Sequence, residues 1–150
     1  LALPSRARLE RVLGYLLHET EFLAPHGVRS MSRIYAQYPY VLHLDGRIYD
    51  VSYAPAESQT HMFGSNSNWR GPIWFPVNYL LIEALERYGL FYGDELQVEC
   101  PAGSGIKMNL TQVAEELERR LAGLFLPDAE GRTPWQGAHP YYREDPHWRE

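Results

Sequence analysis

Cysteine and lysine are almost missing from these 150 residues, with one of each. Because Cys100 stands alone, the chain can build neither an internal disulfide nor a thiolate zinc site. It sits between Glu99 and Pro101 without a His/Asn framework for a nucleophile, so it reads as a structural thiol. Lys107 is the single lysine, and the thirteen arginines are scattered, so no Lys/Arg block exists. A net charge of −5 without such a block argues against a nucleic-acid surface. Long apolar runs are also missing. Arg6, Arg8 and Arg11 interrupt the first segment, which excludes a signal peptide or a membrane span within these residues. There is no internal repeat, heptad array or low-complexity tract. What is left is 45% hydrophobic and 22% charged, a balance that suits one globular domain with a modest core. The chain opens at Leu1 and closes on Trp148-Arg149-Glu150 with no helix stop, so the expectation is a piece of a larger polypeptide.

Periodicity predicts three helices. Leu9, Val12, Leu13, Leu16 and Leu17 fall at helical spacing after Pro4 or Ser5, with Pro25 and Gly27 ending the segment. Pro72 and Pro76 introduce a second helix through about Tyr88. It is apolar almost all round (Val77, Leu80, Leu81, Ile82, Ala84, Leu85), as in a helix buried on several sides. A third starts from Asn109 as N-cap with Gln112 three residues on. Its stripe is Leu110, Val113, Ala114, Leu117, Leu121 and Leu124, and its outer face is Glu115, Glu116, Glu118, Arg119 and Arg120. Tyr40 to Val51 alternates around Asp45-Gly46, which predicts a hairpin pairing Leu44 with Arg47 and Leu42 with Tyr49. Residues 54–71 have no period, and a long irregular stretch in a compact domain points to a functional or mobile loop. Residues 96–107 read as turns, and the chain beyond Pro127 as irregular.

Chemistry concentrates between Asn66 and Asn78: Asn-Ser-Asn-Trp-Arg-Gly-Pro-Ile-Trp-Phe-Pro-Val-Asn. Two tryptophans five residues apart, an arginine, amides and a Gly-Pro corner stand at the mouth of an apolar helix. Indole faces with a few fixed donors and acceptors suit a sugar ring, which is apolar on its faces and hydroxylated at its rim. The plainer reading makes Trp69 and Trp74 core residues beside a helix start. Arg70 either binds substrate or braces the loop through its five-donor fork. Asn66, Asn68 and Asn78 suit hydroxyls, turns and caps alike. Glu57 is the one carboxylate in the irregular loop beside the motif, either a sugar-hydroxyl ligand, a carboxylate behind one, or a structural hydrogen-bonding group. Arg29 is a weaker cleft candidate.

The motif Trp69-Arg70-Gly71-Pro72-Ile73-Trp74 with Pro76-Val77-Asn78-Tyr79 resembles the glycoside hydrolase family 63 group, the processing α-glucosidase-like enzymes and their bacterial relatives. Glu21-Phe22-Leu23-Ala24-Pro25-His26-Gly27-Val28-Arg29-Ser30, Pro55-Ala56-Glu57-Ser58, Met62-Phe63-Gly64, Val98-Glu99-Cys100-Pro101 and Leu124-Phe125-Leu126-Pro127-Asp128 extend the resemblance over most of the chain. It implies a mainly α fold with a β-hairpin, forming part of a six-hairpin α/α toroid with its active site in a funnel of loops. It also implies inverting hydrolysis of α-glycosides by an acid and a base on opposite sides of the scissile bond. The family's aspartate acid belongs to an upstream segment, and its glutamate base to one that finds no match here. The catalytic residues are therefore unknown, and residues 1–150 read as a partial catalytic domain.

The substrate-binding candidates are Trp69, Arg70, Trp74, Glu57, Asn68 and Asn78. The expected partners are a carbohydrate substrate and the remainder of the same polypeptide, with no nucleic acid, membrane, cofactor or metal. The expected location is cytoplasmic. Histidines 18, 26, 43, 61, 139 and 147 show no H-x-x-x-H pair to put two ligands on one helical face. His139, Tyr141, Tyr142, His147 and Trp148 form an aromatic tail expected to cover a neighbour's surface. A carbohydrate-binding module and a sugar-isomerising or trehalase-like enzyme on the same toroid are the competing classes.

Overall fold

The computed structural model describes residues 5–56, 60–137 and 140–148. Helix α1 (Arg6–Leu16) follows Ser5 and buries Leu9 and Leu13, with Leu17 just beyond its end. Val12, expected in the same stripe, stays exposed. The helix stops well ahead of Pro25 because local bonds take over. His18 Nδ1 accepts the Thr20 amide at 3.3 Å, and the Glu21 and Leu23 amides both donate to the His18 carbonyl. The chain then makes a two-residue antiparallel pair, β1 (Leu23–Ala24) with β2 (Gly27–Val28), both buried.

The predicted hairpin is β3 (Tyr40–Leu44) against β4 (Arg47–Val51), with Leu44 opposite Arg47 and Leu42 opposite Tyr49. Asp45 and Gly46 both take positive φ (49° and 72°), as the tight turn between twisted strands requires. Tyr40, Leu42, Leu44, Tyr49 and Val51 share one face, and all but Val51 are exposed.

Helix α2 (Phe75–Tyr92) carries Pro76 in its first turn, where the missing N–H costs nothing. It runs four residues past Tyr88. Its buried positions are Asn78, Ile82, Leu85 and Gly89, a single stripe. The expectation of burial on several sides is therefore corrected within this chain: Tyr79, Leu80, Leu90 and Phe91 are all exposed. Residues 96–107 hold more than turns. A hairpin of β5 (Gln97–Glu99) and β6 (Lys107–Asn109) pairs Val98 with Met108.

Helix α3 (Leu110–Ala122) starts with a reciprocal cap. Asn109 Oδ1 accepts the Gln112 amide at 2.9 Å, and Gln112 Oε1 accepts the Asn109 amide at 3.0 Å. Leu110, Val113, Ala114, Leu117 and Leu121 are buried. Arg120 departs from the expected outer face: it reaches inward to donate to the Ala24 carbonyl at 2.8 Å. A short α4 (Pro140–Glu144) lies in the stretch expected to be irregular.

The three long helices meet on one core with Leu23, Val28, Leu96 and Cys100. The architecture is mainly α with small antiparallel hairpins. Among the described residues no helix is long and apolar enough to cross a membrane.

The tryptophan turn as candidate functional site

Residues 69–74 lead directly into α2, with Trp74 at its N-cap position. The two indoles meet edge to face, with ring centroids 4.4 Å apart and planes at 83°. Trp69 is about half exposed (49%) and Trp74 is partly buried. One member of the pair therefore presents open aromatic surface while the other is seated. Beside them Phe75 packs on Phe125 at 5.7 Å, joining the turn to the segment after α3.

The turn is stitched to residues 28–30 by backbone and side chains alike. Arg29 and Ile73 form an antiparallel bridge, and the Ser30 amide donates to the Pro72 carbonyl at 3.1 Å. Ser30 Oγ accepts the Gly71 amide at 3.0 Å. Gly71 has φ 126°, and the Tyr53 ring lies 2.3 Å from where a Cβ would stand, so only glycine fits. On the other side the Ala54 amide donates to the Arg70 carbonyl at 2.7 Å.

The predicted site residues separate by geometry. Asn78 is 1% exposed. Its Oδ1 accepts the Val28 amide at 2.7 Å, while its Nδ2 donates to the Val28 and Trp74 carbonyls at 2.8 and 3.0 Å. Of its open roles it takes the internal one, as a brace between α2 and β2. Arg70 is 4% exposed and donates from Nη1 to Thr60 Oγ1 at 3.2 Å, so its guanidinium lies within the loop. Asn66 Oδ1 accepts the Asn68 amide at 2.7 Å in a local turn, and Asn68 is half-buried beside Trp69 in sequence. Glu57 lies outside the described residues, as does His139. Arg29 braces too: its Nη1 donates to the carbonyls of Glu19, Glu21 and Leu23.

Ser30 and Tyr53 were not among the sequence candidates. Ser30 belongs to the Arg29-Ser30 end of a quoted motif, and its contact with Gly71 spans 41 residues of sequence that no local pattern reveals. Elsewhere, burial pushes the Cys100 thiol up and keeps it protonated, in line with a structural thiol. Among the described residues no three His, Cys, Asp or Glu side chains cluster as a metal site.

The family model for the mannosylglycerate hydrolase MGH1-like glycoside hydrolase domain matches residues 1–141. The chain belongs to that family. The relationship to glycoside hydrolase family 63 carried by the motifs is the one this match shows. The chain is also 48% identical over 152 residues to the uncharacterized protein YMR196W of Saccharomyces cerevisiae, an alignment that covers all of this chain. It spans 14% of the length of that curated relative. No solved structure matches the chain.

Proposed function

We propose that this chain is part of an inverting hydrolase of α-glycosides and supplies the loops that hold the sugar ring beside the scissile bond. The observation that carries the proposal is the Trp69–Trp74 pair: an exposed indole braced edge-on by a second, on a turn fixed to the core. Such a surface offers stacking to the apolar face of a sugar without the ordering cost of a mobile loop. Asn68 and Glu57, in the loop leading to the pair, remain the proposed hydroxyl ligands. Arg70 and Asn78 hold the platform in place. Membership of a glycoside hydrolase domain family supports the reaction class.

The catalytic acid and base belong, on this reading, to segments of the parent outside residues 1–150, and these residues form a partial catalytic domain within an α/α toroid. The helical content and the exposed side of α2 support that placement, since a toroid surrounds each hairpin with neighbours. The processing-glucosidase resemblance points to α-glucosides, and the family's own name adds mannosylglycerate as the competing substrate. We place the parent in the cytoplasm, where a lone buried thiol such as Cys100 stays reduced.

The test is early-time NMR of the sugar released by the full-length protein from α-glucosides and from mannosylglycerate. Inversion is expected, because water delivered by a base opposite the acid attacks the far face of the anomeric carbon. Release with retained configuration would overturn the inverting mechanism. Binding without release, or interconversion of free sugars, would move the protein to the sugar-binding or isomerising classes.

A further inference from the structure

Trp74 is anchored independently of its neighbours in the turn, because its carbonyl accepts both the backbone amide and the side-chain Nδ2 of Asn78, each at 3.0 Å. Trp69 has no such tie to α2 in its backbone; it reaches Trp74 through Arg70, Gly71, Pro72 and Ile73, the last of these bridged to Arg29. The flexible point in that path is Gly71, since glycine has the widest choice of backbone angles and Pro72 has a fixed φ. Three groups hold Gly71 and the peptide that enters it, the first being the Ala54 amide, which donates to the Arg70 carbonyl at 2.7 Å. The Tyr53 ring blocks it on one side, and the Ser30 hydroxyl holds its amide at 3.0 Å on the other.

We infer that Ser30 is the positioning residue of the tryptophan pair: by fixing the Gly71 amide, its hydroxyl sets the angle between the two indoles. The inference rests on reading that pair as the sugar platform only for its effect on catalysis; the geometric claim stands apart. Ser30 acts through the peptide between the indoles, its Oγ accepting the Gly71 amide. Its backbone N–H donates separately to the Pro72 carbonyl at 3.1 Å, a contact that does not need the hydroxyl. A truncation therefore leaves the Arg70–Gly71 peptide on its Ala54 bond alone, able to tilt about that single hold, and keeps the fold in place.

Edge-to-face indoles at this separation couple their transitions, so the pair contributes a circular-dichroism couplet. In the full-length protein the difference between wild type and Trp69→Phe isolates that couplet from the other tryptophans. Ser30→Ala is expected to lose most of the same couplet while hydrodynamic size and cooperative thermal unfolding stay as in wild type. KM for the glycoside should rise about fivefold with kcat little changed, the size of one hydrogen bond's worth of binding. Ser30→Thr should restore both. A full couplet and wild-type KM in Ser30→Ala would overturn the inference. So would a couplet lost only together with cooperative thermal unfolding and not restored by threonine, which would make Ser30 a general structural residue. If wild type hydrolyses no α-glycoside, the proposed function fails while the couplet still decides the role of Ser30.

Discussion

At the scale of single residues, the described site is a division of labour between side chains that show a surface and side chains that hold it. Trp74 stands between the two groups, partly buried against Trp69. In the full-length protein, Trp74→Ala should lower kcat/KM at least tenfold, with a far smaller effect on the melting temperature. A core tryptophan would instead cost about 3–5 kcal/mol of stability. Measuring both quantities on one preparation separates the cases, and unchanged turnover with a collapsed melting temperature would make Trp74 core. Asn78 should behave the other way. Asn78→Ala leaves the buried Val28 amide and carbonyl without their partner, at about 1–3 kcal/mol for each group. A denaturant midpoint unchanged from wild type would show that the brace contributes nothing.

At the scale of elements, α3 gives the clearest prediction in pH. Hydrogen bonding from Arg119, with help from Arg120, holds the Glu116 carboxyl below the usual glutamate range, and its side chain is 16% exposed. A depressed folded-state value means stability that is fully present above the unfolded value and is lost as pH falls through the folded one. Urea midpoints should therefore decline as pH falls through and below the ordinary glutamate range, and Glu116→Gln should flatten part of that decline. A variant with the same acid slope as wild type would remove Glu116 from the account. The elements also show what a sequence carries. The β3–β4 register was legible because Asp45-Gly46 fixes the turn, and the α3 start was legible because Asn109 and Gln112 cap each other locally. The end of α1 was not, because His18 and Thr20 close it by side-chain bonds that compete with the helix. β5 and β6 are three residues each, too short for alternation to register. In the site, the tryptophans and the corner were visible as a motif. The inward roles of Asn78 and Arg70 were settled by contacts with Val28 and Thr60, which periodicity does not encode.

At the scale of the whole molecule, the chain carries more exposed apolar surface than a solitary domain tolerates. Leu80, Leu90 and Phe91 project from α2, at 65%, 87% and 76% exposure. Expressed alone, residues 1–150 should self-associate and show no glycosidase turnover; sedimentation and a glycoside assay on the purified piece check both. A monodisperse, active monomer would refute the reading that these faces belong against other parts of the parent. The hairpin tells a different story. Tyr53 returns to within one hydrogen bond of where the chain left, its amide donating to the Tyr35 carbonyl at 3.2 Å. The strands between those two residues are thus an excursion whose ends already meet, and the tryptophan turn does not depend on its length. An arm attached in this way can be lengthened, shortened or redecorated without moving the two residues that close it.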